Sequence, residues 1–93
     1  MCKSEIFLLL LQLTSEETEM SEERITGKFT DMESTDARYI LATLLYERGM
    51  YPSQIAVYLN RTPRCIRFLL QRNLTSPMVG IILEKLRKRI GNG

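Results

Sequence analysis

The chain has 93 residues, enough for one domain around one core, and its 44% hydrophobic and 26% charged residues rule out a fibrous repeat or wholesale disorder. It has no histidine and only two cysteines, Cys2 and Cys65. That removes Ser-His and Cys-His nucleophile pairs, histidine-containing zinc sites and a closed zinc site of cysteines alone, so no cofactor or metal is expected and the default is two reduced thiols in a cytoplasmic protein. The net charge of +2 hides an asymmetry: residues 1–36 carry three bases and nine acids, a net −6, while residues 37–93 carry ten bases and two acids, a net +8. Such a split is expected when one end of a chain faces a polyanion, although basic residues also simply solvate exposed helix faces.

In chain order, the spacing predicts a first helix over Lys3–Leu13. Its apolar run Ile6–Leu11 is far shorter than the about 20 residues a membrane span needs, and it lacks the basic start and cleavage site of a signal peptide. The apolar residues fill more than one face, which predicts heavy burial or packing on a partner. Thr14–Met20 reads as an acidic loop. Ser21 caps a short helix, Glu22–Thr26, ended by Gly27. After a connection over Lys28–Glu33, Ser34 or Thr35 is the expected cap of a longer helix. Its apolar positions Ala37, Ile40, Leu41, Leu44 and Leu45 recur at steps of three and four, and Arg48-Gly49 stops it. Pro52 opens Ser53–Leu59. Asn60-Arg61 turns the chain, and Thr62-Pro63 starts a helix expected to run over Arg64–Arg72. Ser76-Pro77 starts a last helix to about Ile90, interrupted by Gly80 and crowded with Lys85, Arg87, Lys88 and Arg89 at its end. No strand pattern is present. The expected fold is all-α: a single small domain, 1–93, of about five to six helices.

The segment 52–72 has the spacing of a helix-turn-helix. Ala56 is the small residue that allows close crossing, Ile55 and Leu59 close the first helix, Asn60 tolerates the turn, and Thr62 caps the second helix. Ile66, Leu69 and Leu70 then form the inward set, which turns Arg64, Arg67 and Gln71 outward with Cys65 and Phe68 on the flanks. Residues early in such a helix reach base edges in the major groove. Arg64 and Arg67 suit bidentate contact with guanine O6 and N7. The N–H groups near Thr62–Arg64 suit a phosphate, as do Arg61 and Arg72 at the two ends. An ordinary helical hairpin with an arginine-rich solvated face has the same local pattern.

A longer pattern surrounds this segment: Met20-Ser21-Glu22-Glu23-Arg24-Ile25-Thr26-Gly27-Lys28, then Ala37-Arg38-Tyr39-Ile40 opening a long helix, then Gln54-Ile55-Ala56-Val57-Tyr58-Leu59 ahead of the second helix of the pair. With these, Ser21–Leu70 resembles the C-terminal DNA-binding domain of the bacterial replication initiator DnaA, which belongs with the Trp repressor-like helix-turn-helix domains. The resemblance implies that Lys28 and Arg38 lie near the DNA backbone or minor groove; the plainer alternative for Arg38 is a solvent-exposed helix charge. The family signature at the start of the reading helix, Arg-Asp-His-Thr-Thr-Val, is replaced here by Arg61-Thr62-Pro63-Arg64-Cys65-Ile66. Only the arginine and the apolar anchor correspond. The family's ATPase domain has no counterpart in these 93 residues.

Two functions remain open at this level. One is a non-enzymatic double-stranded DNA-binding domain, a small regulator or accessory protein, reading the major groove with helix 63–72. The other is a protein-interaction module that keeps the helix-turn-helix fold without binding DNA, with helix 3–13 offering a homodimer interface. No membrane and no small-molecule substrate are expected as partners. Without histidine, a Gly-rich phosphate loop or paired carboxylates in a site-like context, no constellation supports catalysis.

Overall fold

The computed structural model describes residues 2–71 and 77–91 and is all-α. Six helices follow in order: α1 (Lys3–Thr18), α2 (Glu22–Thr26), α3 (Met32–Glu47), α4 (Pro52–Leu59), α5 (Pro63–Leu70) and α6 (Pro77–Gly91). Helix α3 is the centre and packs against all five others. Its sequence explains why: besides the expected Ala37, Ile40, Leu41, Leu44 and Leu45, it buries Ser34, Arg38 and Ala42, half of its 16 residues. The core adds Phe7, Leu10 and Leu11 from α1, Ile25 from α2, Ile55, Ala56 and Leu59 from α4, Ile66 and Leu69 from α5, and Val79, Leu83 and Leu86 from α6. Phe7 also stacks on Tyr58, ring centroids 4.9 Å apart, and so ties α1 to α4. Among the described residues no helix is long and apolar enough to cross a membrane.

Three helix boundaries differ from expectation. Helix α5, expected to reach Arg72, ends at Leu70 with Gln71 as its C-cap, the Gln71 N–H donating to Arg67 O; the other two differ for physical reasons beyond local spacing. Helix α1 continues through the acidic segment as far as Thr18. Glu16 and Glu17 there meet Arg89 and Lys85 of α6, so distant cations neutralise what reads locally as a loop. Glu19 ends the helix in the left-handed region at φ 57°, without the glycine that usually marks such a stop. Helix α3 starts earlier than expected because Asp31, not Ser34 or Thr35, is its cap. Asp31 accepts from the Ser34 amide at 3.1 Å and the Ser34 hydroxyl at 2.9 Å, and Arg24 holds it from α2 at 3.0 Å. These contacts depress its pKa to about 2, with the Ser34 hydroxyl and amide the main causes. The other boundaries follow local signals. At the end of α3, Gly49 adopts φ 93°, Met50 N–H donates to Leu45 and Gly49 N–H to Tyr46, and Met50 is buried; this pairing of bonds requires a residue that tolerates positive φ. The Ser76 cap expected for α6 lies outside the described residues.

Candidate nucleic-acid interface

Helices α4 and α5 are joined by three residues. Asn60 takes the left-handed conformation, φ 59° and ψ 42°, and Arg61 N–H donates to the Ala56 carbonyl at 2.9 Å. Thr62 accepts from Cys65 N–H at 3.2 Å, and Pro63 has no N–H to satisfy. Helix α5 buries Ile66 and Leu69. With 3.6 residues per turn, Arg64 and Gln71 then point directly away from the core, with Arg67 on one side and Phe68, then Cys65, on the other. All five are exposed. Phe68 stands on the flank of this face and is 78% exposed. The signal for it was present in the sequence: Phe68 follows Arg64 by four residues, one helical turn.

An open groove of about 720 Å³ runs beside the start of α5. Lys28 and Thr30 line it from the α2–α3 connection, Ser53 and Val57 from α4, and Asn60, Arg61, Thr62, Pro63 and Cys65 from the turn and α5. Of these, Thr30, Ser53 and Val57 carry no local signal that sequence reasoning could use. Arg61 is half-buried and spans the groove wall, donating to the Gly27 carbonyl at 2.5 Å and to Asn60 O at 3.3 Å. Arg38 corrects an expectation: it is neither a solvent-exposed charge nor open to a long partner, being 5% exposed. Its Nε donates to Ile25 O at 2.8 Å and one Nη to Phe29 O at 2.5 Å. Burial, and then the nearby positive charge of Arg61, lower its pKa, while Cys65 and Asp31 act in the opposite direction. Arg38 therefore ties the end of α2 and the α2–α3 connection to α3, and Arg61 ties Gly27 of that connection to the turn before α5. Gly27 is needed in that connection because a Cβ there would lie 2.7 Å from Glu23 O.

No protein-family model, curated protein or solved structure matches the chain. The physical contrast among its cations is therefore the main guide. Arg24 pairs with Asp31, Lys85 with Glu17, Arg87 with Glu47 and Glu84, and Arg89 with Glu16 and Glu17. Arg64, Arg67 and Lys28 have no ion pair among the described residues, and all three are exposed. So the expected residues Lys28, Arg61 and Thr62 gather at one groove, Arg64, Arg67 and Gln71 share the adjoining face of α5, and Arg38 lies beneath them. Arg72 lies outside the described residues.

Proposed function

We propose that this chain is a non-enzymatic double-stranded DNA-binding domain in which α4 and α5 act as a helix-turn-helix and α5 enters the major groove. The observation that carries this reading is the outward face of α5, where Arg64 and Arg67 stand exposed with no acidic partner among the described residues. An unpaired guanidinium keeps its full fork of donors for guanine O6 and N7. The groove beside it supplies Lys28, part of Arg61 and the Arg64 N–H for the phosphate backbone, because the Cys65 N–H is already taken by Thr62. Arg38 is assigned a positioning role: it holds the segment that carries Lys28. The DnaA-like pattern of Ser21–Leu70 agrees with this use of α5. Its replaced signature, Thr62-Pro63-Arg64-Cys65, directs α5 to a sequence other than the initiator's box.

Selection of bound sites from random duplex DNA, followed by anisotropy titration at two salt concentrations, tests the reading. The expected result is an enriched duplex whose affinity falls steeply as salt rises, because phosphate contacts release counterions. Failure to enrich any duplex would overturn it. One observation favours the protein-interaction reading instead: Leu8 and Leu9 of α1 remain 59% and 40% exposed. Sedimentation separates the two, because a strict monomer at high concentration removes the homodimer through helix 3–13.

A further inference from the structure

We propose that Phe68 sets the specificity of α5 by packing against the C5-methyl group of a thymine, so that the preferred duplex carries a thymine at a fixed offset from the guanine read by Arg64. This rests on the duplex-DNA reading of α5 given above.

Exposed apolar side chains are common singly and usually need no explanation. Phe68 differs in its surroundings. It is 78% exposed on a face whose other described members are Arg64, Arg67, Gln71 and the small Cys65, and it stands one turn after Arg64, away from the buried Ile66 and Leu69. The core has no use for a ring at this position, and solvent gains nothing from it. Side chains one turn apart on a helix lie one above the other, so whatever Arg64 touches on a groove floor, Phe68 touches the neighbouring step. The floor of the major groove is almost wholly hydrogen-bond donors and acceptors; its apolar feature is the pyrimidine 5-methyl of thymine. A ring pressed on polar base edges strips their water without replacing its hydrogen bonds, which is unfavourable, whereas a ring on a methyl group removes apolar surface from water on both sides. The short side chain of Cys65, one turn before Phe68, leaves room for the close approach that phenylalanine, shorter than arginine, requires.

The test uses the full chain and the duplex enriched by selection, remade with each thymine replaced in turn by deoxyuridine, a change that removes only the methyl group. At one position the parent protein should bind about fourfold more weakly, the effect of one buried methyl. Phe68→Ala should bind the thymine and deoxyuridine duplexes equally, and Phe68→Leu should keep part of the difference. Because Phe68 is exposed, both variants should melt like the parent, which circular dichroism checks. If no single replacement weakens the parent, or if Phe68→Ala still discriminates, the assignment is overturned while DNA binding stands. If no duplex is bound at all, the DNA reading fails and this inference fails with it.

Discussion

Helices α5 and α6 both bring clusters of cations to the surface, and the fold treats them in opposite ways. On α6, Arg87 is gripped by Glu47 at 2.5 Å and Glu84 at 2.6 Å, which hold it firmly charged, and Arg89 reaches Glu17 of α1 at 3.0 Å. On α5, Arg64 and Arg67 have no such partners among the described residues. In sequence, the acidic first third and the basic remainder look like two separate ends. In the fold, Glu16 and Glu17 of the acidic third lie against α6 and neutralise Lys85 and Arg89. A charge cluster points to a polyanion only where the chain's own acids fail to reach it, and among the described residues that holds for both arginines of α5 but, of the four cations of α6, for Lys88 alone.

The comparison can be broken most severely from underneath α5. Arg38→Ala removes a buried guanidinium that satisfies the Ile25 and Phe29 carbonyls. The expected loss is about 3 kcal/mol of folding stability, read in a denaturant titration, with the thermal midpoint more than about 10 °C lower. A loss near zero would mean that the clamp on the α2–α3 connection is not needed to hold up the α5 side. Next in size is Arg67→Ala, expected to weaken binding of the selected duplex by about 1–3 kcal/mol if Arg67 reads a base, with an unchanged melt. On the α6 side, Gly80 sits inside the helix, and a methyl group added there would meet only open space. Gly80→Ala should therefore raise stability by up to about 1 kcal/mol without changing DNA affinity; a change in affinity would bring α6 into the interface.

The smallest expected effect is on pH dependence. Asp31 has a folded-state pKa of about 2 against an ordinary 3.8. Depression of a carboxyl pKa stabilises the fold above the ordinary value, and that contribution fades as pH falls from about 4 towards 2. Acid should thus loosen the cap of α3 and its contact with Arg24 of α2 before it affects the interior. Asp31→Asn should flatten this part of the stability-against-pH curve, and a curve identical to the parent's would remove Asp31 from the account.

What sequence reasoning reached and what it missed divide along the same line as the charges. The caps at Ser21 and Thr62, the left-handed Asn60, the proline starts at Pro52 and Pro63 and the glycine stop at Gly49 are local chemistry, readable over three or four residues. So are the inward positions of α3, α4 and α5 and the exposure of Arg64, Arg67 and Gln71, which follow from helical spacing. The length of α1 was not readable, because Glu16 and Glu17 are helical in the company of cations some 70 positions later. Arg38 was not readable either. Its burial depends on carbonyls of an irregular connection, and such groups leave no periodic trace. Phe68 was readable in angle, but its 78% exposure was not.

The most direct test of the central claim is a pair of charge-matched variants titrated against the selected duplex at one salt concentration. Arg64→Ala/Arg67→Ala and Lys85→Ala/Arg89→Ala each remove two positive charges, the first from α5 and the second from α6. The α5 pair should lose at least about 30-fold in affinity, while the α6 pair should stay within about threefold of the parent because those cations serve the chain's own acids. Equal losses from the two pairs, or a loss confined to the α6 pair, would contradict that claim.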